Sequence, residues 1–110
     1  MTVCEVGRID QVAVGADGRL ILAMTEDRDY GLGADAELIE DFRRKLNAYL
    51  GAVRSGEVRR MARKAGVAGE NGVDIVLFSV SEPPQLIREM LDTVNSKLSK
   101  EGVSARYELL

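Results

Sequence analysis

The chain has 110 residues, of which 45% are hydrophobic and 30% charged, and this composition is typical of one soluble globular domain spanning residues 1–110. It contains no histidine, which excludes Ser-His and Cys-His catalytic pairs and every metal site that depends on an imidazole ligand. Because Cys4 is the single cysteine, no disulfide can form within the chain, and we expect a cytoplasmic protein. No apolar run approaches the ~20 residues of a membrane span, and the N-terminus lacks a signal-peptide pattern.

The net charge of −3 conceals a strong separation of charge along the chain. Residues 1–41 carry ten acidic and three basic side chains, net −7, whereas residues 42–64 carry eight basic side chains and one acidic, net +7. Residues 65–110, with seven acids and four bases, have a net charge of −3. This pattern predicts either neutralisation within the fold or a dimer, or binding to a partner of complementary charge.

An N-terminal β-hairpin is predicted by two short β-rich runs, RIDQVAVG at 8–15 and RLILAM at 19–24. Asp17-Gly18 lies between them, and Asp-Gly favours a hairpin turn because glycine accepts a positive φ. The second run is apolar on both faces, which indicates a central position in the sheet.

A long amphipathic helix is the next predicted element. Its apolar residues recur at three- and four-residue spacing and form one stripe: Leu38, Ile39, Phe42, Leu46, Tyr49, Leu50 and Val53. Asp35 is expected to cap the N-terminus, and Ser55-Gly56 to end the helix. The charged face is expected to carry two i,i+4 ion pairs, Glu40–Arg44 and Asp41–Lys45.

The second half predicts a short basic helix at 57–65, a glycine-rich loop at 66–72 and a buried strand at 73–80. Pro83-Pro84 ends that strand and opens a second amphipathic helix. The apolar stripe of this helix is Leu86, Ile87, Met90, Leu91, Val94 and Leu98. Gly102 ends it, and VSARYELL at 103–110 alternates as a last strand.

These elements, in the order ββα-loop-βαβ, predict an α+β two-layer sandwich. We expect a four-stranded mixed sheet with the two amphipathic helices on one face. The last two strands should be parallel and joined by a right-handed crossover.

The run EDRDYGLGADAE at 26–37 is the first candidate site. As a calcium loop it fails, because Leu32 and Leu38 occupy the positions of the turn glycine and the bidentate glutamate. As a dinucleotide turn it lies too far from the preceding strand and carries too much negative charge. We therefore interpret it as an elbow with solvated carboxylates, and we expect no metal and no cofactor. The alternative is a small-ligand binder or a carboxylate-based enzyme that uses Glu26, Asp27, Asp29 and Tyr30.

The basic run RSGEVRRMARK is the second candidate, a partner-binding segment. Its basic side chains are Arg54, Arg59, Arg60, Arg63 and Lys64. It contains no aromatic residue, it matches no recognised nucleic-acid module, and the chain as a whole is acidic. A protein partner, or the acidic half of another copy, is favoured over nucleic acid, which is the weaker alternative.

The segment KLNAYLGAVRSGEV at 45–58 resembles a family of small uncharacterised bacterial proteins, a domain of unknown function. The resemblance extends over an opening Ile9-Asp10 pair, an Asn-x-Tyr helix, a Ser-Gly-Glu exit and a Glu82-Pro83 step. It implies the same architecture and supplies no activity. The missing catalytic constellation and the −7/+7 separation of charge favour a non-enzymatic protein-interaction module that is able to self-associate.

Overall fold

The computed structural model describes residues 11–15, 17–64, 66 and 72–110. These ranges contain four strands and three helices: β1 (Gln11–Val14), β2 (Leu20–Glu26), α1 (Asp35–Ser55), α2 (Glu57–Lys64), β3 (Val73–Ser79), α3 (Gln85–Leu98) and β4 (Val103–Leu109). A 3-10 turn, Ser99–Glu101, joins α3 to β4. The predicted α+β fold is confirmed. The start of the predicted first strand at 8–10 and most of the glycine-rich loop at 66–72 lie outside the described residues.

The predicted hairpin is confirmed, with β1 and β2 antiparallel and Val14 paired with Leu20. The turn is closed by the Gly15 N–H, which donates to the Arg19 carbonyl oxygen at 2.8 Å. The Asp17 carboxylate accepts the Arg19 N–H at 3.1 Å, and Gly18 adopts a φ of 79°. Glycine at this position therefore supplies the left-handed conformation that Asp-Gly turns require.

The four strands lie side by side in chain order, and β2, β3 and β4 are parallel. The register aligns Leu20 with Val73 and Glu26 with Ser79, so β2 and β3 begin and end together. For two consecutive strands to pair in parallel, the connecting chain must run back from the end of the first strand to the start of the second. The 21 residues of α1, about 30 Å of helix, make this return between β2 and β3. α3 makes the same return between β3 and β4, as predicted.

One core joins the sheet to the helices. Leu22 of β2 and Ile75 of β3 belong to the same buried cluster as Phe42 of α1 and Ile87 of α3. Phe42 is completely buried, as its central position on the predicted stripe requires. None of the described helices is long and apolar enough to cross a membrane.

Two side chains were placed on the wrong side of their helices by the periodicity. Leu86, predicted to face the core, is 57% exposed at the start of α3. Lys45, predicted to lie on the charged face, is completely buried, and its Nζ lies 5.4 Å from the centre of the Tyr49 ring. Asp41, its predicted partner, forms an ion pair with Arg28 at 3.1 Å. The Nζ position over the Tyr49 ring is a cation–π contact, which favours the charged group inside the core face of α1.

A polar cluster crosses the sheet on the face opposite the helices. Arg19 donates from Nε to the Asp74 carboxylate at 2.7 Å, and from Nη2 to the carbonyl oxygens of Val73 and Gly102 at 3.2 and 3.0 Å. The Ser104 hydroxyl and the Arg106 guanidinium also donate to Asp74. Burial alone would raise the pKa of the Asp74 carboxyl, but these donors and the two arginine charges outweigh it and lower the pKa.

Phe42→Ala should destabilise the protein by roughly 3–5 kcal/mol, because it leaves a cavity between α1 and the sheet. Urea denaturation monitored by circular dichroism measures this loss. Leu32→Ala is the control: Leu32 is 78% exposed, and its truncation should cost less than about 0.5 kcal/mol. A loss below about 1 kcal/mol for Phe42→Ala would mean that the core does not depend on this ring.

Asp74→Asn should make the free energy of unfolding less dependent on pH in the acidic range. Since the pKa of Asp74 is lower in the folded state, its contribution is complete at neutral pH and is lost as the pH falls below about 4. The variant should be less stable than wild type by roughly 1–3 kcal/mol at neutral pH, and this difference should shrink in acid. Denaturation curves at several pH values test this, with exposed Asp92→Asn as the control. If the stability difference between wild type and Asp74→Asn does not change with pH, the pKa of Asp74 is not lowered in the folded state.

Candidate functional site

The basic residues predicted to bind a partner gather at one corner of the molecule, where α1 ends and α2 begins. We call this surface the basic corner: Arg54, Arg59, Arg60, Arg63 and Lys64. On α2, Val58 and Ala62 are buried against the core. Because these two residues are four positions apart, they fix the inner face of the helix, and the basic side chains between and after them point to solvent.

The turn between α1 and α2 depends on Gly56, which has a φ of 82° and donates its N–H to the Val53 carbonyl oxygen at 3.3 Å. This left-handed residue ends α1 at Ser55, where the sequence predicted it to end. It also lets α2 start at Glu57. The arginines in the last turn of α1 and those of α2 are therefore close along the chain and exposed to solvent.

The charges of the basic corner are not neutralised within the part of the chain that the structure describes. All five side chains are exposed, and none forms an ion pair with another described residue. The Arg60 guanidinium donates to the Ser55 carbonyl oxygen at 3.5 Å, which is a neutral acceptor at the C-terminal end of α1. Arg59 and Arg63 are four residues apart on α2, as are Arg60 and Lys64. Like charges at this spacing repel each other, so a partner that carries negative charge would relieve an unfavourable interaction.

A groove of about 320 Å³ opens beside the basic corner. Arg54 and Arg59 line it together with the apolar side chains of Leu50, Val53, Leu98 and Val103, and Glu101 is the acidic residue of the lining. The groove thus combines guanidinium groups with an apolar floor, which is the composition of a surface that accepts an acidic and partly apolar segment.

The acidic elbow, residues 26–35, lies at the other end of α1, beyond the ends of β2 and β3. The structure brings two of its four candidate residues, Glu26 and Tyr30, into the interior of this end, and it leaves Asp27 and Asp29 exposed. Within the described residues, no three carboxylates or cysteines come together in a group that would hold a metal ion.

Glu26 is completely buried, which contradicts the expectation that every carboxylate of the elbow is solvated. Arg28 folds back on it, donating from Nη2 to one carboxylate oxygen at 2.7 Å and from Nε to the other at 2.9 Å. Arg28 also pairs with Asp41 of α1 at 3.1 Å. The hydrogen bonds to Glu26, which outweigh the effect of burial, raise the pKa of the Arg28 guanidinium. Glu26, Arg28 and Asp41 therefore form a clasp between β2 and α1.

Asp35 does not cap α1, so this prediction was wrong. The cap position is Ala34, which forms no side-chain hydrogen bond, and Asp35 is the first residue of the helix. Its carboxylate accepts the Gly31 N–H at 2.7 Å instead. Gly31 and Gly33 have φ values of 88° and 92°, which side-chain-bearing residues rarely adopt. The elbow is thus closed by Asp35 and made possible by its glycines.

Two hydroxyl groups are buried without a hydrogen-bond partner among the described residues, those of Tyr30 and Ser79. The Tyr30 backbone N–H donates to the Ser81 hydroxyl oxygen at 3.0 Å, which ties the elbow to the chain after β3. Burial, followed by the nearby Glu26 charge, raises the pKa of the Tyr30 hydroxyl. The sequence indicated Glu26 and Tyr30 but not Asp41 or Ser81, because contacts between distant segments leave no local pattern. Arg28 lies only two residues from Glu26, but its pairing was missed because the burial of Glu26 depends on the whole fold.

Comparison with protein-family models, with curated proteins and with solved structures found no match to the chain. The resemblance to a family of small bacterial proteins therefore stays a prediction. The function has to be inferred from the geometry of the described residues.

Arg28→Ala should destabilise the protein by roughly 2–3 kcal/mol, because the buried Glu26 carboxylate loses its counter-charge. Asp29→Asn, in the same loop but exposed, should change the free energy of unfolding by less than about 0.5 kcal/mol. Combining Arg28→Ala with Glu26→Met should cost less than the sum of the single losses, since the completely buried carboxylate is then removed together with its counter-charge. Strictly additive losses in urea denaturation would show that the clasp contributes no coupling energy.

Proposed function

We propose that this protein is a non-enzymatic protein-interaction module whose basic corner binds an acidic surface of a partner protein. The observation that carries the proposal is that five exposed basic side chains gather at one end of α1 without an ion pair to the rest of the described chain. Had the acidic and basic segments neutralised each other within the fold, no binding surface would be implied.

The distance between the two charged ends supports this proposal. The acidic elbow precedes α1, and the basic corner follows it, so a helix of about 30 Å separates them. At physiological salt the Debye length is about 8 Å, and the exposed carboxylates Asp27 and Asp29 therefore cannot compensate the arginines at the far end. Within the described residues, Glu57 and Glu101 are the acidic side chains beside the corner, and neither forms an ion pair with its five basic residues.

The identity of the basic residues favours carboxylates as their ligands. Four of the five are arginines, whose planar guanidinium binds a carboxylate through two parallel hydrogen bonds. The adjoining groove adds apolar contacts from Leu50, Val53 and Leu98. Arginine next to a small apolar surface is typical of the residues that contribute most to protein–protein binding.

Nucleic acid fits this surface less well. The corner has no aromatic side chain on which a base can stack, and the protein as a whole carries a charge of −3. The second alternative, a ligand or catalytic site in the elbow, is not favoured either. Its buried carboxylate, Glu26, is already engaged by Arg28 through both oxygens.

Fluorescence anisotropy with a labelled peptide of alternating glutamate and leucine tests the proposal. We expect binding that weakens as salt is added, and a loss of about tenfold or more in affinity for Arg59→Glu with Arg63→Glu. The control is Arg88→Glu with Lys97→Glu, which makes the same change in net charge on exposed positions of α3. This control should retain most of the affinity.

Equal losses for the two double variants would overturn the proposal, because binding would then depend on net charge and not on the basic corner. A single-stranded oligonucleotide of the same charge as the peptide is the second probe. If it binds more tightly than the peptide, and through Arg59 and Arg63, the corner is a nucleic-acid surface instead.

A further inference from the structure

A second surface, separate from the basic corner, lies on the outer side of the helix layer. α1 and α3 enclose a groove of about 600 Å³ that opens to solvent. Its apolar lining consists of Ile39, Leu46 and Leu50 from α1 and Leu86, Met90 and Val94 from α3. Leu86 is 57% exposed, although the sequence pattern assigned it to the core stripe. An exposed apolar groove with a protruding leucine is typical of a surface that binds another molecule.

The two walls of this groove carry opposite charges. Arg43 stands on the α1 wall and Glu89 on the α3 wall. Each has a partner on its own helix, since Arg43 contacts Glu40 and Glu89 accepts a hydrogen bond from Gln85 at 3.0 Å. Both side chains are nevertheless exposed, and both are able to contact a second molecule. The groove is thus apolar at its centre, positive on one side and negative on the other.

We propose that the α1–α3 groove is a homodimer interface, occupied by the same groove of a second copy. α1 and α3 run in the same direction, because each returns from the end of one parallel strand to the start of the next. A two-fold axis along the groove places α1 of each copy over α3 of the other. Arg43 then faces Glu89 of the second copy, twice, so the surface is complementary to itself.

The same rotation accounts for Leu86. Leu86 lies in the first turn of α3, and Ile39 lies in the second turn of α1, so both are near the same end of the groove. In the dimer each Leu86 is covered by α1 of the second copy, close to Ile39. The most exposed leucine of the helix layer thereby becomes a buried contact at the interface.

The size of the surface sets the expected strength of the dimer. α3 has 14 residues, about 21 Å of helix, and packed helices lie about 10 Å apart. Two helices side by side present a face about 20 Å wide, so the shared footprint is about 400 Å² per copy and roughly 800 Å² in total, which is the size of a weak, transient interface. Interfaces of about 1,600 Å² range from micromolar to picomolar affinity, so for this smaller surface we expect a dissociation constant at the weak end, about micromolar.

This dimer does not depend on the proposed function, since none of the five basic side chains of the corner lines the α1–α3 groove, although Leu50 lines both grooves. It does extend that function. Two copies would present two basic corners, and a partner with two acidic segments would bind them more tightly than it binds one.

Sedimentation velocity over a range of concentrations tests the dimer. We expect wild type to pass from monomer to dimer at micromolar concentration, and Leu86→Asp to raise the dissociation constant at least about tenfold, because each dimer contains the contact twice. Since Leu86 is exposed in the monomer, thermal unfolding should show that the variant is folded. Arg59→Glu with Arg63→Glu should dimerise like wild type, which separates this interface from the basic corner.

A charge exchange tests the predicted orientation. Arg43→Glu alone and Glu89→Arg alone should each weaken the dimer severalfold, because each places like charges opposite one another. The two substitutions together should restore most of the affinity. A wild type that stays monomeric at all concentrations would overturn the proposal. So would a dimer that is insensitive to Leu86→Asp, or two charge variants whose combination brings no recovery.

Discussion

The parallel pairing of β2 with β3 is the constraint on which the rest of the structure depends. Since both strands run in the same direction, the chain must cross the full length of the sheet before β3 begins, and α1 provides this crossing. Ten of the 18 acidic residues lie before the crossing or in its first two turns, whereas eight of the 15 basic residues lie at 42–64. Their separation along the sequence thus becomes a separation in space, at opposite ends of a long helix.

Two largely buried ionic clusters stabilise the two ends of the parallel strands. The Glu26–Arg28–Asp41 clasp ties the end of β2 to the second turn of α1 and so directs the chain into the crossing. Arg19, through Asp74 and the Gly102 carbonyl oxygen, ties the starts of β2, β3 and β4 together. A Cβ at Gly72 would lie 2.5 Å from that carbonyl oxygen, so only glycine allows the chain to enter β3 beneath the Arg19 side chain. Charges that are buried in this way are committed to the fold and do not take part in binding.

The charges and apolar groups that are left exposed are those from which function is inferred. The basic corner, the groove beside it and the α1–α3 groove lie on the helices, whereas the polar cluster around Asp74 lies on the opposite face of the sheet. Both proposed surfaces therefore belong to the helix layer. The polar cluster thus stabilises the sheet, while the outer faces of α1 and α3 remain exposed.

The sequence by itself determined the elements that follow from local rules: the Asp-Gly hairpin, the two amphipathic helices, the glycine that ends α1 and the exposure of the basic residues on α2. These depend on neighbours within four residues, and periodicity and turn chemistry describe such neighbours well. It was also sufficient for the α+β class, because two one-sided helices need a sheet to cover.

Only the tertiary structure decided which polar groups are buried and which apolar groups are not. Glu26 is buried with Arg28 bound to its carboxylate, and Lys45 is buried with its Nζ over the Tyr49 ring. Leu86 is exposed because α3 turns it away from the sheet. Asp35 bonds backward to Gly31 and not forward into α1, because the path of the elbow brings that N–H within reach. Each of these outcomes depends on groups brought together by the chain path, and the energy of such contacts is not encoded in the spacing of residues along a single helix or strand.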